Sequence, residues 1–357
     1  MRIYRLFCTF VSNIIAKIRL FLMNSNKMLK KAFNIAIPFV LGGGILWWMY
    51  RDTDFKAMEN TLLHQMNWGW MLFSLVFGVT AQMFRGIRWK QTLEPLGEHP
   101  RMMDCIHAVF ISYASSLIIP RSGEISRCGI LVKYDGTPFL KSLGTVVTER
   151  IIDSLLLLAI TLVVILSQVA VFHSFFTNTG TNLEDFLRGF TTTGYLVTAL
   201  CLVITVVFLW YAMRRFTFMT KLKEMMNNLK EGVLSLKDVK NKWLFTFYTL
   251  AIWLSYFLHY WITFKSFDFM TNLGFTAAIV SFIIGSISVI VPTPNGAGPW
   301  HFAVKTILIL YGLADTDAIT FVLIVHTIQT ALVPLLGIYS MVALGLRTSP
   351  SPQKNIY

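Results

Sequence analysis

Six apolar runs in this chain are long enough to cross a lipid bilayer, and nothing else in the sequence constrains the fold as strongly. A spanning helix needs about 20 mainly apolar residues, because ~30 Å of hydrocarbon is crossed at ~1.5 Å per residue. Phe33 to Tyr50, Trp68 to Phe84, Ile151 to Phe172, Phe190 to Met213, Trp243 to Phe264 and Ala318 to Leu346 meet that requirement. With no water to satisfy backbone polar groups, such runs must be helical. Composition agrees: 55% of the residues are hydrophobic and 14% charged, whereas soluble domains carry roughly 25% charged residues. The expected fold class is an all-α polytopic membrane protein.

The net charge of +13 raises the question of nucleic acid, but the basic residues lie between the apolar runs and form no continuous stripe. They act instead as topology signals. Lys and Arg number seven before Phe33, two in 51–67, four in 85–104, one in 173–189, eight in 214–242, one in 265–274 and two after Leu346. By the positive-inside rule, both termini, 85–104 and 214–242 are cytoplasmic, while 51–67, 173–189 and 265–274 face outward. An inner or plasma membrane is the expected location.

Two further apolar stretches, Cys105 to Ile119 and Phe275 to Val291, are short and run into Pro and Gly: IIPRSGEISR from Ile118 and VPTPNGAGPWHF from Val291. They predict broken helices. The chain is inside at Asp104 and must be inside again at Ile151, so 105–150 enters and leaves from one side. Residues 275–317 start and finish outside, which makes a second re-entrant hairpin of opposite orientation. Ser116 to Pro120 and Ser288 to Pro292 also match as S-[L/V]-I-[I/V]-P. Together these features suggest an inverted repeat, the arrangement in which transporters build a midplane site from discontinuous helices.

The segment 1–27 has Arg2, Arg5, Lys17 and Arg19 between apolar stretches too short to span. It reads either as a basic amphipathic segment on the inner leaflet or as residues ahead of a true start at Met28. The transmembrane domain is expected over 28–346, followed by a cytoplasmic tail, 347–357. Cys8, Cys105, Cys128 and Cys201 stand apart, so neither a disulfide framework nor a zinc site is expected. His259, His301 and His326 are isolated in sequence, no metal-binding spacing occurs, and no nucleotide-binding loop is present. No metal and no cofactor are expected.

Half-helices restart near Gly123 and near Pro299, a residue suited to the first helical position. Both new N-termini would point their free N–H groups into the membrane interior, where an anion such as a lipid phosphate is favoured. Asn295, Gly296 and Gly298 belong to the second of these breaks, and the glycines permit close backbone approach. A charge near the bilayer centre costs at least ~2.5 kcal/mol and usually marks a pathway or a paired site. Arg121, Glu124 and Arg127 occupy the first break. Glu149 and Asp153 share one face of the following helix, with Arg150 about 100° away. The bland reading of both groups is internal ion pairing. Arg85 and Arg88, in FRGIRWK at the cytoplasmic end of the second span, read as headgroup ligands or, more simply, as snorkelling anchors.

RGIRWK, PRSGEISR, TERIID and PTPNGAGPW together resemble the flippase-like transmembrane region of lysylphosphatidylglycerol synthases, over roughly residues 30–345. The resemblance implies a lipid-translocating unit, with a membrane lipid as its substrate and a separate lipid-modifying enzyme as a partner. In the fused enzymes an aminoacyltransferase domain makes the lipid. No such domain is expected here, where the chain ends eleven residues after Leu346. Trp300 and His301 stand where the resemblance leads one to expect charged residues.

The leading expectation is a flippase or transporter, not an enzyme. It would move an anionic or zwitterionic phospholipid, glycophospholipid or polyprenyl-linked lipid between leaflets. One alternative is an intramembrane enzyme acting on a lipid phosphate or lipid-linked sugar, against which stands the lack of an obvious nucleophile with its base. Another is an envelope-assembly scaffold, for which buried charges would have no use.

Overall fold

The computed structural model describes residues 36, 38–51, 53–167, 239–291 and 293–346. The described regular structure is all helical. α1 covers residues 38–50, and α2 (Phe55–Asn60) continues into a π turn, Thr61–Gln65. α3 (Trp68–Leu93), α4 (Met102–Ile118), α5 (Gly123–Asp135) and α6 (Phe139–Ser167) follow. α7 (Lys242–Trp261), α8 (Phe275–Ser288), α9 (Pro299–Leu310) and α10 (Asp315–Gly345) complete them. Trp68–Leu96 and Asp315–Gly345 are each long and apolar enough to cross a membrane. The expectations for 1–27, 173–189, Phe190 to Met213, 214–242 and 347–357 fall outside the described residues.

Helix starts follow local chemistry. Asn67 caps α3 by accepting from the N–H groups of Gly69 and Trp70 at 3.0 and 3.3 Å, and Asn241 caps α7 through Leu244 N–H at 3.0 Å. Two boundaries differ from the sequence reading. α3 runs on past Phe84 to Leu93, so FRGIRWK lies inside the helix and not beyond it. α6 starts at Phe139 and not at Ile151, which places TERIID in mid-helix. Polar residues do not end a helix whose polar face is buried against protein, and apolarity alone therefore misplaced both ends.

Both broken segments are antiparallel hairpins. In the first, Ser115 meets Ser126 at 2.5 Å, and Arg101 N–H donates to Asp135 Oδ1 at 3.2 Å. The start of α4 and the end of α5 therefore lie side by side. In the second, a Cβ added at Gly285 would touch Trp300 and Val304, while Val280, Ile283 and Ile307 share one apolar cluster. With 17, 13, 14 and 12 residues, none of α4, α5, α8 and α9 spans ~30 Å of hydrocarbon at ~1.5 Å per residue.

α10 shows how the hairpins are stacked. Near its start Asp315 pairs with Lys305 of α9 at 2.8 Å, close to the open end of the second hairpin. His326 and Thr330 reach the second break. Gly337 packs on Ala114, and Ser340 bonds His107 Nδ1 at 3.0 Å, approaching the open end of the first hairpin. One long helix thus passes the two hairpins in turn, and they point at each other. α3 runs alongside, and at Gly86 an added Cβ would sit 2.7 Å from the Ile106 Cα, so this crossing requires glycine.

Candidate functional site

The hairpin tips meet. Arg121, at φ +65°, donates from Nη2 to the Ile290 carbonyl at 2.9 Å, joining the first break to the second. Asn295 is the corresponding left-handed residue of the second break, at φ +49°. Its carbonyl accepts from His326 Nε2 at 3.1 Å, and its Nδ2 donates to Thr330 Oγ1 at 2.6 Å. Because a carbonyl only accepts, the proton of neutral His326 lies on Nε2. Gly298, at φ +90°, passes so close to α1 that an added Cβ would lie 2.9 Å from the Gly42 carbonyl oxygen. Each restarting helix is capped from within: Gly123 N–H donates to Ser116 Oγ at 3.1 Å, and Gly298 N–H to His301 Nδ1 at 3.3 Å.

Beside the first hairpin, five ionisable side chains form one buried cluster. Arg127 of α5 donates to Glu149 of α6 at 2.7 Å. Arg88 of α3 donates to Asp153 Oδ1 at 2.9 Å and to Thr249 of α7 at 3.1 Å, with its Nε 3.9 Å from Glu149. Arg85 Nη1 pairs with Asp153 Oδ2 at 3.1 Å, whereas Arg85 Nε has no hydrogen-bonding partner. All five side chains are at most 8% exposed. Three guanidiniums face two carboxylates, which leaves one positive charge uncompensated within the cluster. Each buried ion costs several kcal/mol in desolvation, and only good pairing offsets that cost.

Next to the cluster lies a cavity of about 320 Å³ lined by α3, α4, α7, α8, the second break, α9 and α10. Gln82, Tyr113 and Tyr256 close it toward Arg85, and Asn295, His326 and Thr330 line it at the second break. The Tyr113 and Tyr256 hydroxyls bond each other at 2.7 Å. The Arg85 guanidinium carbon stands 6.0 and 5.8 Å from their ring centres. Trp253 and Phe282 also belong to the wall of an apolar pocket of about 710 Å³, so polar and apolar spaces share a partition. The arrangement can accommodate a molecule with a charged end and a greasy end.

The family model for the lysylphosphatidylglycerol synthase TM region matches residues 35–337. The chain belongs to that family. It is accordingly a membrane protein, of a family of membrane domains tied to lipid synthesis and lipid flipping. No curated protein and no solved structure matches the chain.

The residues singled out from sequence part into three groups. Arg85, Arg88, Arg127, Glu149 and Asp153 come together in the cluster. Arg85 and Arg88 are 4% and 0% exposed, so they are interior ion-pair residues and not snorkelling anchors; extension of α3 carries them inward. Arg150 is 42% exposed and 3.9 Å from Asp153. It lines an apolar groove of about 440 Å³ with Glu124. Glu124 therefore turns away from Arg121, and the two form no pair. Arg121, Asn295, Gly296 and Gly298 form the third group, at the meeting of the tips.

Sequence reasoning missed Tyr113, Tyr256, Gln82 and Gly42, none of which carries a local signal beyond an ordinary apolar-helix residue. It also took the histidines as isolated, whereas the His301 and His326 rings lie 4.3 Å apart between centres and the His259 and His326 side chains line the same cavity. Among the described residues, no group of three or more His, Cys, Asp or Glu is placed to hold a metal.

Proposed function

We propose that the chain moves an amphipathic lipid between the leaflets of an inner or plasma membrane. The lipid is anionic or zwitterionic, a phospholipid, glycophospholipid or polyprenyl-linked lipid, whose charged headgroup enters the cavity while its chains occupy the apolar pocket. The observation that carries this reading is the contact of two opposed hairpin tips, Arg121 to Ile290, beside a polar cavity that shares a wall with an apolar one. Two short hairpins that meet head to head form a thin barrier. Parting one from the other would expose the headgroup to one side at a time.

In this reading the hairpins are re-entrant from opposite faces, and the basic connections hold both termini in the cytoplasm. The lipid is moved unchanged, and a separate lipid-modifying enzyme supplies it. Reconstitution of the purified chain in liposomes containing labelled lipids tests the proposal by leaflet exchange. Exchange of headgroup-labelled lipid above protein-free liposomes is expected, with the recovered lipid chemically intact. A new lipid species would turn the reading to an intramembrane enzyme, and no exchange of any lipid would end it. Topology is tested in intact cells by labelling single cysteines at 230 and 180 in a cysteine-free background. Only position 180 is expected to react with an impermeant reagent.

A further inference from the structure

We propose that the Tyr113–Tyr256 hydroxyl pair is a gate between the cavity and a phosphate seat on Arg85. The inference rests on the lipid-transport reading for its ligand, but its evidence is local. Arg85 is 4% exposed and its Nη1 pairs with Asp153 Oδ2, yet its Nε has no hydrogen-bonding partner. A buried donor left unmade is costly, and a guanidinium N–H bonds strongly to an anionic oxygen. The cluster also holds one more guanidinium than it has carboxylates, so an incoming anion completes its charge balance.

Arg85 differs from its neighbours in where its guanidinium lies. Arg88 makes hydrogen bonds to Asp153 and Thr249. Arg127 lies 4.6 Å from the Trp89 ring centre, and the Trp89 side chain is fully buried. The two rings beside Arg85 belong instead to Tyr113 and Tyr256, and both line the cavity. Their hydroxyls bond each other at 2.7 Å and so hold the two rings together between the cavity and the guanidinium. Separating the hydroxyls opens the way from the cavity to the guanidinium. Gln82, one turn before Arg85 on α3, adds an amide oxygen without a partner, placed for a hydroxyl or ammonium group of the headgroup. The seat therefore selects a phosphate ester that carries a second polar group.

The test uses the full-length chain in detergent, titrated with dioctanoyl phosphatidylglycerol, dioctanoylglycerol and inorganic phosphate, with calorimetric detection. Phosphatidylglycerol is expected to bind at least about tenfold more tightly than the phosphate-free diacylglycerol, the equivalent of one charge-assisted hydrogen bond. Arg85→Lys keeps the charge opposite Asp153 but loses the Nε donor, and it is expected to weaken phosphatidylglycerol about tenfold while melting as the parent does. The Tyr113→Phe/Tyr256→Phe chain keeps both rings and lacks the closing bond; its affinity should rise about threefold to tenfold, the net worth of one neutral hydrogen bond.

Equal binding of the two lipids, or unchanged affinity in the Tyr double variant, overturns the proposal. Unchanged affinity in a folded Arg85→Lys chain does the same. Inorganic phosphate binding as tightly as the lipid, with the same response to Arg85→Lys, keeps the seat and gate but assigns them to a free anion. Failure of leaflet exchange in liposomes with these binding differences intact would end the transport reading and leave the gate standing.

Discussion

The hairpin of α4 and α5 and the hairpin of α8 and α9 share a shape and differ in what they bury. Around the first lie Arg85, Arg88, Arg127, Glu149 and Asp153, with serines along the α4–α5 contact. Around the second lies an aromatic core in which Tyr260, Phe264, Phe267 and Phe321 meet edge to face at 5.4–6.2 Å. Such aromatic pairs add about 0.5–1.5 kcal/mol each beyond area burial and carry no desolvation cost. A chain selected only for stability would have filled both halves the second way. The first half therefore carries a desolvation cost that the second avoids.

The sharpest way to break this comparison is to remove one carboxylate from the charged half. Glu149→Ala leaves Arg127 without its 2.7 Å partner, and a loss of about 3–5 kcal/mol is expected from denaturation in detergent. A loss under about 1 kcal/mol would make the two halves energetically alike.

Packing should follow at the next level. Gly86→Ala places a Cβ 2.7 Å from the Ile106 backbone, which cannot rotate away, and about 1–3 kcal/mol should be lost. Gly285→Ala, in the second hairpin, meets only side-chain atoms of Trp300 and Val304 and should cost less in the same assay. Reversal of that order would show the first hairpin to be the looser one.

Polar bonds within the aromatic half should matter little. Tyr260→Phe removes the 2.8 Å bond to Ser281, which still donates to the Ala277 carbonyl at 2.6 Å; about 0.5–1 kcal/mol is expected by denaturant titration. The smallest effect belongs to Lys305→Ala. Its partner Asp315 is 62% exposed, so at most a few tenths of a kcal/mol should be lost, diminishing further with added salt.

Much of the architecture was legible because its causes are local. Pro and Gly at 120–123 and 292–299 cannot continue an apolar helix in register, so both breaks could be read from residue identity. Glu149 and Asp153 could be placed on one face from their spacing of four. The serine-proline echo was less faithful in space, since α4 continues through Ser116 to Ile118 while α8 stops at Ser288. The left-handed residues Arg121 and Asn295 are the better structural counterparts. Arg85 and Arg88 were read as interfacial because the end of an apolar run is not the end of a helix whose polar face is buried.

By itself the sequence determined that the chain is a helical membrane protein with two interrupted helices, because hydrophobic length and backbone-breaking residues act over a few turns. Tertiary structure alone decided which charges face one another. Arg88 and Asp153 stand 65 residues apart, Tyr113 and Tyr256 stand 143 apart, and Arg121 and Ile290 stand 169 apart. Helical periodicity assigns a residue to a face, but the neighbour across that face is chosen by how whole helices pack. The cavity, its tyrosine pair and the unpartnered Nε of Arg85 arise only from that packing.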